Sequence, residues 1–168
     1  MTFKLGAQLD DSGDPNLTFK LYDAYIEYNR WRFPESALEV IAHPDWVGGS
    51  QSRAPYYSEL NSLEIKDLGK VNAELRLTLI KDMYVETPLK ILITYQGLFE
   101  LDIPSTGRLS ESTLQWRLEQ FLYFDVYHTH KIKDKLFTHQ IEWTNGSIWS
   151  ITARNIGVEW QELLSDQK

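Results

Sequence analysis

Two neighbouring stretches, Val71–Lys81 and Leu89–Ile103, carry the clearest alternation of the chain. Every odd position from 89 to 103 is apolar, aromatic or glycine: Leu89, Ile91, Ile93, Tyr95, Gly97, Phe99, Leu101 and Ile103. The positions between them are mostly polar, and Val71, Ala73, Leu75, Leu77 and Leu79 repeat the arrangement. Successive side chains of a strand leave opposite faces, so this period of two predicts two half-buried strands. The connection Asp82–Thr87, followed by Pro88, is short enough to make them an antiparallel hairpin.

Upstream, residues 1–16 end in a run of turn-forming residues from Leu9 to Asn16 and read as a turn or mobile lead-in. Leu17–Trp31 alternates with a slipped phase: Leu17, Phe19 and Leu21 are odd, Tyr22, Ala24, Ile26 and Tyr28 even. This predicts one long strand bent by a bulge near Leu21–Asp23. Residues 32–59 break the pattern with Pro34, Pro44, Pro55 and Gly48-Gly49, and form a long crossover loop. Pro34 suits the first turn of a short helix reaching Ile41. Leu60–Asp67 reads as a third, shorter strand closed by a turn around Gly69.

Beyond Pro104 the period changes. Ser110 is an N-cap, and Leu114, Leu118, Phe121, Leu122, Asp125, Thr129, Ile132 and Leu136 share one helical face. They predict a helix over 111–136, with a break near Phe124. Thr144-Asn145-Gly146-Ser147 is a hairpin-turn signal between Ile141–Trp143 and Ile148–Ile151. Val158–Leu164 reads as a short terminal amphipathic helix. The expected fold is a single α+β domain over 1–168. Its four-stranded antiparallel sheet carries a long helix and a short C-terminal helix on one face.

Composition narrows the function classes. The 168 residues carry 24 acidic against 17 basic side chains, a formal charge of −7. A nucleic-acid groove needs a basic footprint, so nucleic acid is not an expected partner. No apolar run approaches the ~20 residues of a membrane span, and Met1–Gly6 lacks the apolar core of a signal peptide, so neither membrane insertion nor export is expected. Without cysteine there is no disulfide, thiolate metal site or cysteine nucleophile, and a cytoplasmic setting is expected. Phosphate loops, nucleophile elbows and zinc helices are missing from the sequence. His128 and His130 would diverge on a helix and could share an ion only on a strand; with His43 and His139 they read as ordinary surface or boundary histidines. No catalytic residue, cofactor or metal site is therefore expected.

Several local stretches resemble the export chaperone SecB and SecB-like proteins. Tyr95-Gln96-Gly97-Leu98-Phe99-Glu100-Leu101 is similar to the last strand of that family, and Glu74-Leu75-Arg76-Leu77-Thr78-Leu79 to its third. Leu109–Leu122 followed by Tyr123–Tyr127 resembles its main helix, and Ala153–Leu163 its closing loop and helix. Asp125 stands where the family has a proline, and its Phe-Pro-Pro segment is replaced by the Asn145-Gly146 region. The resemblance implies a holdase that binds unfolded or extended polypeptide without nucleotide, and a homo-oligomer, dimer or tetramer. The loop aromatics Trp46, Tyr56 and Tyr57, with Trp31 and Phe33 at the end of the first strand, are the expected client-binding residues. An immunity-type protein that neutralises one folded partner is the alternative, and a small-molecule binder or hydrolase on the concave sheet face is the third reading.

Overall fold

The computed structural model describes residues 15–46, 53–104, 114–123 and 135–164, with side chains from Leu21 onward. Six strands form one sheet: β1 (Glu59–Lys66), β2 (Glu74–Lys81), β3 (Leu89–Asp102), β4 (Trp116–Tyr123), β5 (Phe137–Trp143) and β6 (Ile148–Glu162). Their spatial order is β1-β2-β3-β6-β5-β4, and every neighbouring pair is antiparallel. Helix α1 (Pro15–Asn29) leads through a 3₁₀ turn (Arg30–Arg32) into α2 (Glu35–Ala42).

The β2–β3 hairpin follows the alternation of the sequence. Leu77 lies opposite Ile93 and Leu75 opposite Tyr95, and all four side chains are buried. The same phase crosses to β6, where Val158 opposes Ile93 and Trp160 opposes Ile91. At the other side of the sheet, Phe121 opposes His139 and Trp116 opposes Trp143. Opposed residues share a face, so these side chains define one inner surface running through all the strands.

The sheet curls until its two edges meet. Trp116 N–H donates to the Ser58 carbonyl, Tyr57 N–H to the Trp116 carbonyl and Leu60 N–H to the Leu114 carbonyl, each at 2.9 Å, and Glu59 bridges Gln115. Past this seam β4 is covered by α1. The Phe121 N–H donates to the Tyr22 hydroxyl at 2.7 Å and the Tyr123 N–H to the Tyr25 hydroxyl at 3.1 Å. Two phenols thus satisfy backbone donors that an edge strand would otherwise leave bare. Tyr25, Ile26, Phe33, Ala37 and Val40 join the inner surface in one apolar core.

Four expectations are corrected. In place of the four-stranded α+β sheet with a long helix and a C-terminal helix, the described residues form a six-stranded antiparallel sheet with two short helices. Leu17–Trp31 is helical, because Tyr22, Tyr25, Ile26 and Asn29 stand at the i, i+3, i+4, i+7 spacing that turns one face inward. The phase slip of the sequence is this helical period, not a bulge. Within 111–136, Trp116–Tyr123 is strand β4, and the residues of that expected helix from 124 to 134 lie outside the described set. A register shift between Trp116 and Leu118 breaks the period of two there, which is why the apolar positions mimic a helix. Val158–Glu162 continues β6, its alternate residues answering β3.

Three local readings are found in place. Glu59–Lys66 is the third strand of the sequence reading, and α2 begins directly after Pro34. Gly146 occupies the turn between β5 and β6 at φ +82°, and Trp143 and Trp149 bring their rings to 4.9 Å across it.

Candidate functional site

Two features of the described residues concentrate chemistry. The first is a polar chain inside the core. On β5 a period of two sends Phe137, His139, Ile141 and Trp143 inward, so a histidine enters the apolar interior. The Tyr95 hydroxyl lies 2.7 Å from His139 Nδ1, and His139 Nε2 meets a carboxylate oxygen of Glu119. The other carboxylate oxygen accepts from Trp46 Nε1–H at 2.7 Å. The Phe121 ring stacks on the imidazole at 4.1 Å. Every polar atom is satisfied when the Tyr95 O–H donates to Nδ1 and the Nε2–H donates to Glu119.

Glu119 colours its surroundings electrostatically. Burial first, and then the Glu119 carboxylate, push the Tyr22, Tyr56 and Tyr95 phenols above their ordinary range. Burial, partly offset by its backbone hydrogen bond and Arg32, pushes Tyr25 to about 12. These tyrosines remain protonated donors and acceptors. His139 and Tyr95 are both fully buried. The chain of hydrogen bonds ties β3, β5, β4 and the Trp46 segment together. Its chemistry is that of a satisfied core network.

The second feature is on the surface. An open groove of about 620 Å³ lies between the β1–β2 connection and the second half of β3. Leu68, Val71 and Phe99 line it and are 74%, 73% and 42% exposed, beside Leu98 and Leu101. Lys70, Glu100 and Arg154 add charge to its walls. A kink in β3 precedes it: Gly97 sits at φ +63°, and a Cβ there would stand 3.0 Å from Arg154 Cδ. Glycine alone fits both the left-handed backbone and the packed arginine stem. The register against β6 then shifts between Leu98 and Glu100, a bulge that kinks β3 there.

No family model, curated protein or solved structure matches this chain.

The five expected client-binding residues do not form one surface. Trp31 is 65% exposed and Tyr57 44%, whereas Phe33 and Trp46 belong to the core and Tyr56 packs against it. Trp31 lies over the Arg32 guanidinium, which also faces the Tyr123 ring at 4.5 Å. Tyr57, at φ +62°, meets Tyr84 with ring centroids 5.4 Å apart. Phe33 stands edge-on to both Tyr25 and Tyr123, and Trp46 to Trp116.

Sequence reasoning missed the groove and the interior network for different reasons. The period of two assigned Val71 to an inward strand face, but β2 begins only at Glu74. Glu119 was hidden by the helical reading of its segment. His139 was recoverable, since alternation from Phe137 to Trp143 places it among inward residues. His128, His130 and the Gly48-Gly49 pair lie outside the described residues. Among the described residues no cluster of three metal-ligating side chains occurs, and no helix is long and apolar enough to cross a membrane.

Proposed function

We propose that this protein is a non-catalytic, nucleotide-independent binder of extended polypeptide, with the groove beside the second half of β3 as its contact surface. The observation that carries this reading is the exposure of Leu68, Val71 and Phe99 together along one open groove. Exposed apolar patches on otherwise polar surfaces mark sites that another molecule covers. The groove also coincides with Tyr95–Leu101, one of the stretches most similar to the SecB-like proteins. The acidic balance keeps a protein with such a patch dispersed. Cytoplasmic location and association into dimers or tetramers are parts of the same proposal.

Retention of reduced, carboxymethylated lactalbumin, a permanently unfolded chain, tests the reading. The wild-type protein retains it, and Leu68→Asp with Val71→Asp abolishes retention while the circular-dichroism spectrum and melting temperature hold. Both substituted residues are solvent-facing, so lost folding does not mimic lost binding. A wild-type protein that retains none of the unfolded chain overturns the proposal and favours a single folded partner.

A further inference from the structure

The backbone of the same groove specifies how a segment is held and what it looks like. β3 is longer than the strand beside it. Its pairing with β2 ends at Gln96, opposite Glu74, yet β3 continues to Asp102, paired there with β6. The Ala73 carbonyl takes the Leu98 N–H at 2.9 Å, and the chain then turns aside through Lys70 and Asp67. Among the described residues, nothing occupies the row next to Glu100–Asp102 on the β2 side.

Side chains along that row are sorted by face. Leu101 opposes Ile151, which is fully buried, so it points toward the inner surface. Glu100 and Asp102 oppose Thr152 and Ser150, and both carboxylates are exposed. Neither makes an ion pair or a side-chain hydrogen bond with any described residue. Two bare carboxylates on one face, two residues apart, repel a second copy of the same strand. They attract cations with the same spacing.

Resting on the polypeptide-binding reading, we infer that the groove takes its ligand by strand addition. The ligand is an extended segment in which basic residues alternate with apolar ones. The segment continues the row that β2 leaves, and its backbone bonds to the free edge of Glu100–Asp102. Its basic side chains stand opposite Glu100 and Asp102, and the apolar one between them shares the face of Leu101. Main-chain pairing supplies affinity, and the alternating pockets supply preference.

Two synthetic probes test this: acetyl-Lys-Val-Lys-Val-Lys-Val-amide and its glutamate counterpart, titrated against the full chain. Two favourable cross-strand charge pairs predict a preference of roughly two- to thirtyfold for the lysine peptide. Glu100→Lys with Asp102→Lys, both exposed, should invert that preference. Hydrogen exchange should show new protection within Glu100–Asp102 when the lysine peptide binds. Equal affinity for the two peptides, failure of the inversion, or unchanged exchange at β3 overturns strand addition. If carboxymethylated lactalbumin is still retained in that case, side-chain binding in the groove survives; if it is not, both conclusions fall.

Discussion

Lys81 ends β2 on the inner face, fully buried, with its ammonium donating to the Ala54 carbonyl at 2.6 Å. Burial lowers its pKa to about 8 from the ordinary 10.5. The unfolded chain therefore holds more protons than the fold between about pH 8 and 10, and stability rises with pH across that window. Above about pH 10 the sign reverses, because exposed tyrosines of the unfolded chain ionise while Tyr22, Tyr56 and Tyr95 stay protonated in the fold. Lys81→Met should remove the rise and keep the fall, as urea melts across this range would show; a rise that survives the substitution assigns it to another group. At this scale the sequence was legible where period alone decides. Leu77 and Ile93, expected mid-strand beneath a helix over 114–136, are fully buried, although Trp116–Tyr123 of that segment is a strand. It was illegible where a lysine completes an apolar alternation, since Lys81 follows Leu79 in phase but carries a charge that pattern reading sends to solvent.

Elements meet through their backbones as much as through their side chains. The α1 phenols of Tyr22 and Tyr25 each accept an N–H from β4, whose outer edge would otherwise hydrate or aggregate. Removing one hydroxyl leaves a donor without its partner. Tyr22→Phe and Tyr25→Phe should each cost about 0.5–1.5 kcal/mol. Amide exchange should accelerate at Phe121 in the first variant and at Tyr123 in the second, and unchanged exchange at both would place the docking of α1 on its apolar contacts alone. The hairpins β2–β3 and β5–β6 were legible because alternation and the Asn145-Gly146 turn are local signals. α1 and β4 were exchanged in kind, strand for helix and helix for strand. Each is identified by what it packs against: an isolated phase slip reads as a bulge, and a bulged strand reads as a helix, until the partner face is known.

At the scale of the whole molecule, closure depends on a short seam. Three backbone bonds and one bridge join Tyr57–Leu60 to Leu114–Trp116, between strands that are distant in sequence and at opposite edges of the sheet. The sequence held no sign of this closure, because alternation reports which face a residue takes and not which edges meet. The seam also has an optical consequence. The Trp116 indole beside it lies 5.9 Å from Trp46 and, across the β4–β5 ladder, 5.8 Å from Trp143, which in turn lies 4.9 Å from Trp149. Four indoles in series at such separations share their excited states, so the folded chain should display an exciton couplet in its ultraviolet circular dichroism. Trp46→Phe should weaken the couplet at one end of the series, and Trp149→Phe at the other. A spectrum indifferent to both would mean that the indoles do not form this array. Where the couplet is present, light absorbed by a ring on β6 reports on whether β4 and the Trp46 segment have stayed packed beside it.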